Sequence, residues 1–379
     1  MPIWTLRRVA LEHQPGPARP ACDNDRMSSA PIDTLIIGQG LAGSALAWRL
    51  HDLGERVCVI DDGHHSASST VAAGLINPLA GMRFTLRPEV PDWLAAAERW
   101  YQELATAFGR TFYHPLPMLR LFRSVEQRRF YGRLLDDPRA QGLIGQSFAA
   151  DGCPESVAAP FGGFHQQRTG YVDLPLLLGA LRDWLRAMEA LHEFALPPEA
   201  IRLTPDGVVA SDIHARRLVF CDGARLAENP WFRDLPLRPG KGQILNLDGD
   251  TWRPRHIVNG AHWLVPLADG ELRFGATHEH DALDRRTTPA GRQALLDGFA
   301  ALRPHRPAPR VLAHQAGVRP GTADRQAFLG AHPQHAQLWV FNGFGARGAL
   351  AIPWYAQCLA DHLLLGRALP AEADIRRFA

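Results

Sequence analysis

The chain has 379 residues, 46% hydrophobic and 21% charged, which excludes a wholly disordered protein and suits about two domains. Its 41 basic residues against 39 acidic ones leave a formal net charge of +2, which argues against a strongly basic nucleic-acid-binding protein. No apolar run approaches the roughly 18 residues of a membrane-spanning helix, so the chain reads as soluble and cytoplasmic. Residues 1–31 lack a continuous apolar stretch and carry Pro15, Pro17 and Pro20, so they read as a disordered tail, with Met27 as the physiological start. Cys22, Cys58, Cys153, Cys221 and Cys358 lie far apart, without CxxC or zinc-like spacing. That pattern suits a reducing cytosol, and no metal site is expected.

The segment 33–63, DTLIIGQGLAGSALAWRLHDLGERVCVIDDG, reads strand, tight turn, helix, strand. Leu35 to Ile37 make the first strand, residues 42–53 a helix stopped by Gly54, and Val57 to Ile60 the second strand. Gly38, Gly40 and Gly43 form G-x-G-x-x-G, with Leu41 and Ala42 inside the motif. Gly38 permits the sharp turn, Gly40 lets backbone approach a pyrophosphate, and Gly43 lets helix and strand pack closely. The helix start offers free N–H groups to phosphate. Asp61, with Asp62 beside it, closes the second strand, where a carboxylate accepts bonds from ribose hydroxyls. This context makes the segment a dinucleotide-binding unit. Ser68, Ser69 and Thr70 then supply hydroxyls, and Ala73 and Gly74 are small enough for a flat ring to lie against backbone.

Residues 88–108 read as a helix with Trp93, Ala97, Trp100 and Leu104 on one side, 118–124 as a strand and 125–135 as a helix. In 165–185, Gly170 to Asp173 lead into a helix for which Asp173 fits the N-cap. Residues 215–226 return a strand that closes at Gly223. The stretch 238–245 carries Lys241, which reads as a solvated strand start, and 263–281 is a hairpin carrying Trp263, Arg273, His278 and His280. Residues 316–330 contain Arg319. The last glycine turn, Asn342, Gly343, Gly345, Ala346, Arg347 and Gly348, precedes a helix beginning near Ala349.

These segments, in this order, resemble the D-amino-acid oxidase superfamily of flavoproteins, which includes glycine oxidase, sarcosine oxidase and the oxidase half of a tRNA wobble-uridine modification enzyme. The likeness rests on SSTVAAG, GYVD, GQ at 242–243, the VPLADGELRFGAT hairpin, GVRPGTAD and GFGARG. It implies an α/β fold: a Rossmann-like FAD-binding domain with a second, mainly antiparallel β-sheet substrate domain. On that reading the FAD-binding domain comprises 32–87, 165–236 and 311–379, and the substrate domain 88–164 and 237–310.

The resemblance further implies FAD, bound non-covalently because Gly317 stands in the segment where some members carry a flavin-linked cysteine. It implies oxidation of a C–N bond in a small amine or amino acid, with the electron acceptor left open. Arg319 takes the place of the carboxylate-binding arginine of glycine oxidase. Arg347 is a second basic candidate, offset by one place, in wording closer to the tRNA-modifying oxidase. Arg273 stands where sarcosine oxidase has a lysine that helps flavin react with oxygen, and Trp263 where relatives put a pocket aromatic. The alternatives are the wobble-uridine oxidase, the one reading with a nucleic-acid partner, and a non-catalytic FAD-binding protein.

Overall fold

The computed structural model describes residues 32–378 apart from Asp151, Thr251 and Ala308. The expectations for residues 1–31 lie outside the described residues.

β1 (Ile32–Ile37) ends at Gly38, whose φ of +99° turns the chain into α1 (Leu41–Asp52). α1 buries Leu41, Ala45, Leu46 and Leu50, and β2 (Val57–Asp61) returns beside β1. β3 (Leu75–Ile76), α2 (Val90–Phe108), β4 (Tyr113–Pro115), β5 (Met118–Leu121), α3 (Val125–Leu135), β6 (Ile144–Phe148), β7 (Gly163–Gln166) and β8 (Gly170–Val172) follow. α4 (Leu174–Ala187) starts where the Asp173 carboxylate accepts the Leu176 N–H at 3.2 Å, the expected N-cap. Then come β9 (Leu191–Glu193), β10 (Ile201–Thr204), β11 (Gly207–Ala210), β12 (Ile213–Phe220), β13 (Gly240–Leu247), β14 (Ile257–Asn259), β15 (Trp263–Pro266) and β16 (Leu272–Gly275). α5 (Pro289–Leu302), β17 (Val311–Arg319), β18 (Phe328–His332), β19 (His335–Asn342) and α6 (Gly348–Leu365) complete the chain.

Two large sheets organise these elements. In the first, β9, β2, β1, β12 and β19 run parallel, the pattern of a doubly wound nucleotide fold. β10, β11 and β18 extend it antiparallel. The second sheet has the order β17-β13-β16-β15-β14-β5-β7-β6 and is antiparallel except at the β5–β14 pair. A small sheet, β3-β8-β4, completes the set. The α/β class with a second, mainly antiparallel sheet is as the sequence implies.

Several placements cross the expected boundaries. β17 pairs along its length with β13, from Gly240 opposite Arg319 to Leu247 opposite Val311, and so lies in the second sheet. That register pairs the backbone of a nine-residue strand which would otherwise stand unpaired. α2 packs on α6: its Tyr101 hydroxyl donates to the Ala349 carbonyl at 2.6 Å, and the Trp93 and Tyr355 rings lie 5.8 Å apart. An apolar stripe of Trp93, Trp100 and Leu104 needs an apolar partner, and α6 is the most apolar helix here.

Lys241 is not a solvated strand start. It is 1% exposed, and its ammonium donates to Asp284 Oδ1 at 2.6 Å, with Glu279 Oε2 at 3.9 Å. Its backbone pairs with Glu279, which draws the side chain under the loop that carries both acids. Burial of this charge is offset by that pairing. Among the described residues no helix is long and apolar enough to cross a membrane, and no group of three or more His, Cys, Asp or Glu side chains is placed to hold a metal ion.

Candidate active site

A cavity of about 650 Å³ lies between the two large sheets. One wall is made by the carboxyl ends of β1, β2, β12 and β19, the position at which open α/β sheets take their ligands. The other wall is the face of the second sheet. A smaller cavity of about 190 Å³ adjoins it, sharing Gly38, Asp61, Ser66 and Asp222.

The first half of the site is built from glycines and helix starts. A Cβ on Gly43 would stand 1.9 Å from the Gly38 carbonyl oxygen, so only glycine lets α1 dock on β1. Gly74, at φ +67°, packs as tightly on Val172. Gly40 is different: the nearest atom to its added Cβ is Ser69 Oγ at 3.6 Å, and the residue lines the cavity. The Leu41 N–H donates to Ser69 Oγ at 3.2 Å. Helix geometry leaves the N–H of Ala42 without an intrahelical acceptor at the cavity wall. Neither α1 nor α6 carries an acid in its first turn, so two positive helix poles meet the cavity unneutralised.

Asp61 is the best-connected acid of the site. Its Oδ2 accepts the Gln39 N–H at 2.8 Å, and its Oδ1 accepts the His64 N–H at 2.8 Å and Arg182 Nη1 at 2.9 Å. Burial raises its pKa, but the bonds from Gln39 and Arg182 outweigh burial and hold it below the ordinary carboxylate range. Arg182 also reaches Glu193 and Gln39. Sequence reasoning missed Arg182; the only signal was a basic residue inside the apolar α4. Asp222, at the end of β12, has its pKa pushed up to about 6 by burial, against hydrogen bonds from Asn229 and Asn342.

Most of the expected cofactor residues meet at this cavity: Gly38, Gly40, Leu41, Ala42, Asp61, Ser68, Ser69, Ala73, Gly74, Gly223, Asn342, Gly343, Gly345, Ala346, Arg347 and Gly348 all line it. Asn342 is committed to the protein, its amide donating to Asp222 and to the Gly223 carbonyl. Three do not line the main cavity. Gly43 lies beneath it, in the packing of α1. The Thr70 hydroxyl turns back to the Ala67 carbonyl at 2.9 Å. Asp62 faces the smaller cavity, with Oδ2 on Arg225 at 3.2 Å and a buried Oδ1 without a partner. Two joined cavities, a glycine cradle at the start of α1 and an unused carboxylate oxygen fit an extended dinucleotide such as FAD.

The far half is cationic. Arg319 makes only long bonds, to the carbonyls of Gly240, Lys241 and Thr277 at 3.4–3.5 Å and to His278 Nδ1 at 3.2 Å. It has no carboxylate within 4.0 Å among the described residues, and burial lowers its pKa. A Cβ on Gly242 would come within 2.9 Å of its Nη2, so glycine there leaves the fork its space. Arg347 lies over the Trp93 ring at 5.4 Å, has a buried Nη1 without a partner, and is pushed down to about 10 by burial. Trp263 lines the wall against Gly275. Arg273 does not line it; the side chain is buried and donates to the Ala72 carbonyl at 3.3 Å. His262 and His278 line the cavity, each with a pKa lowered first by burial, while His280 does not. Arg120 and Arg123 were missed, although an arginine inside the apolar strand MLRLF was a visible anomaly.

The sequence model of the family described as FAD dependent oxidoreductase matches residues 33–362. Glycine oxidase of Pseudomonas aeruginosa is 27% identical over 357 residues, covering 88% of this chain and 94% of that protein. The crystal structure of glycine oxidase from Geobacillus kaustophilus superposes with a TM-score of 0.79 at 24% identity, covering 92% of this chain and 98% of that one. Iminodiacetate oxidase from Chelativorans sp. superposes with a TM-score of 0.76 at 25% identity, covering 91% and 98%.

Proposed function

Because the chain belongs to the FAD dependent oxidoreductase family, we propose that it oxidises the C–N bond of a small carboxylate-bearing amine, an amino acid or N-substituted glycine. One observation carries this reading: Arg319 stands at the cavity wall as a guanidinium fork without a carboxylate of its own. The names of the similar proteins, glycine oxidase and iminodiacetate oxidase, agree with such a substrate.

Bound FAD supplies the acceptor for a hydride equivalent. The residues of the chain do the rest. Arg319 binds both oxygens of a carboxylate at once and fixes the neighbouring carbon. Among the described residues the only acids lining the cavity, Asp61 and Asp222, lie at the dinucleotide end. The cations of the far half therefore act on the substrate amine unopposed. Their potential favours the neutral amine, whose lone pair assists departure of hydride from the adjacent carbon. Trp263 walls the site, and the positive pole of α6 stabilises negative charge that develops in the cavity.

Anaerobic titration of the holoenzyme with amino acids and N-methylated glycines tests the reading. At least one member should bleach the oxidised flavin band at roughly 450 nm, a property of the cofactor. If dithionite bleaches the band and every amine leaves it unchanged, the proposal falls.

A further inference from the structure

Arg120 is 6% exposed and lines the cavity. Its guanidinium lies over the Phe84 ring at 5.1 Å, and its one hydrogen bond among the described residues is from Nη2 to the Gly81 carbonyl at 3.2 Å. No carboxylate lies within 4.0 Å of it among the described residues. Arg123, at the end of the same segment, lines the cavity with an exposed side chain and has no acid partner among the described residues, its Nη1 donating to Met82 Sδ at 3.1 Å. Burial first, and then the neighbouring Arg123 charge, push the pKa of Arg120 down to about 10.

Arg182, Lys241 and Arg273 are buried cations that do not serve the cavity as free charges. The first is paired with Asp61 and Glu193, the second with Asp284. The third has only the Ala72 carbonyl among the described residues, so lack of an acid does not by itself mark a site; Arg120 differs in lining the cavity, where a ligand anion can offset the cost of its burial. The dinucleotide does not account for it, because the pyrophosphate cradle is the start of α1, on the other sheet.

The register locates the pair relative to Arg319. Arg120 lies opposite Asn259, which lies opposite Trp263, which lies opposite Gly275, and all four line the cavity as one transverse row. β5 is two strands from β15 on one side, and β13, whose carbonyls the Arg319 fork touches, is two strands away on the other. Trp263 therefore stands between two anion-seeking groups: Arg120, two strands away at roughly 10 Å in backbone terms, and the β13 carbonyls under the Arg319 fork, two strands away and three to four residues along from Ile244, at roughly 15 Å.

We propose that Arg120 and Arg123 form a second anion subsite, so that the substrate is an elongated amine bearing two anionic groups: a carboxylate on Arg319 and a second carboxylate or a phosphate on the Arg120–Arg123 pair. This rests on the reading of Arg319 as a carboxylate clamp. A simple amino acid with its amine held neutral brings one negative charge to a surface with this surplus of cations; a second anion meets the cations that the first leaves unpaired.

The test uses the holoenzyme and separates the two readings. Redox-inert α,ω-dicarboxylates of graded length, from adipate up to chains long enough to span the row from Arg319 to Arg120, and monocarboxylates of matching length, are titrated while perturbation of the flavin spectrum is followed. The longer dicarboxylates should bind at least about tenfold more tightly than their monocarboxylate counterparts. Arg120→Met should erase that advantage and leave monocarboxylate binding unchanged. Amines carrying one carboxylate, two carboxylates, or a carboxylate and a phosphate are then compared in anaerobic flavin reduction. The best dianion identifies the second group, and its half-saturation should rise at least about tenfold in Arg120→Met and severalfold in Arg123→Gln. Equal affinity for mono- and dicarboxylates in the wild type overturns the subsite whether or not the variants fold. Retention of the full advantage in a folded, flavin-loaded Arg120→Met overturns it as well. If dicarboxylates bind preferentially and no amine reduces the flavin, the subsite stands and the proposed oxidation falls.

Discussion

Arg319 and Arg182 are guanidinium groups with opposite tasks, and their partners distinguish them. Arg182 spends its donors on Asp61, Gln39 and Glu193, whereas Arg319 meets only carbonyl oxygens at 3.4–3.5 Å and a histidine nitrogen. Arg319→Lys should therefore keep flavin content and thermal stability. It should raise KM for a carboxylate-bearing substrate by about one to two decades, since a point charge replaces a fork and a charged hydrogen bond is worth roughly 1.5–3 kcal/mol. Steady-state kinetics on flavin-saturated protein checks it, and unchanged KM would remove Arg319 from the site. Asp61→Asn acts elsewhere: it strips a buried charge from Arg182 and should cost about 3 kcal/mol of stability, together with FAD affinity. Asp62→Asn, paired only with the exposed Arg225, should cost far less. The folded pKa of Asp61 is depressed, so its contribution is fully present above the unfolded carboxylate pKa of about 3.9 and is lost as pH falls through the folded value. Urea midpoints of wild type and Asp61→Asn should accordingly converge in acid. If the two curves stay parallel, the ion pair is not the source. The GxGxxG unit was legible in the sequence because its parts act on one another within a single turn. Arg182 was not, because its carboxylate lies 121 residues away and no local pattern reports such a meeting.

At the scale of elements, α1 shows two glycines of one motif with different duties. Gly43 has the Gly38 carbonyl 1.9 Å from where a Cβ would stand, and Gly40 has open cavity in front of it. Gly43→Ala should push α1 off β1 and lower the melting temperature as well as flavin content. Gly40→Ala should fold normally and lose mainly flavin affinity, because its methyl enters the ligand's space. Thermal melts of the apoproteins, read beside flavin binding, distinguish them; equal apoprotein melts would show that the docking contact is not tight. α2 is the complementary case. Its helical period and its apolar face of Trp93, Ala97, Trp100 and Leu104 were readable, and those residues are buried. Its partner was not readable, since period reveals that a face needs covering and not which element covers it. The same holds for β17, whose strand character was local and whose seat beside β13 was set by long-range pairing.

For the whole molecule, the two sheets and the cavity between them make the cofactor a guest held by shape, hydrogen bonds and helix poles. Cys221 is the only cysteine lining the cavity among the described residues, and burial raises its thiol pKa well above the ordinary value. Purified protein should therefore be yellow and release intact FAD on denaturation. Flavin that stays with the precipitated chain would refute non-covalent binding, and colourless protein that cannot be reconstituted with FAD would refute the site. The general shape of this arrangement followed from the order of motifs along the chain. At the cationic far end Arg319, Arg347 and Trp263 were legible through the resemblance, whereas Arg120 and Arg123 were not, because β5 reaches this wall only through its long-range pairing with β14.

Lys241 has a practical side. It is the only lysine in 379 residues, and in the folded protein it lies under a loop with its ammonium on Asp284. The only side-chain ammonium in the sequence is therefore shielded from amine-directed reagents by the fold. A dye ester should leave Lys241 unmodified under native conditions and attach to it after unfolding. Attachment at Lys241 is then a chemical clock for opening of the loop that carries Glu279 and Asp284, read by the mass of the peptide that contains it.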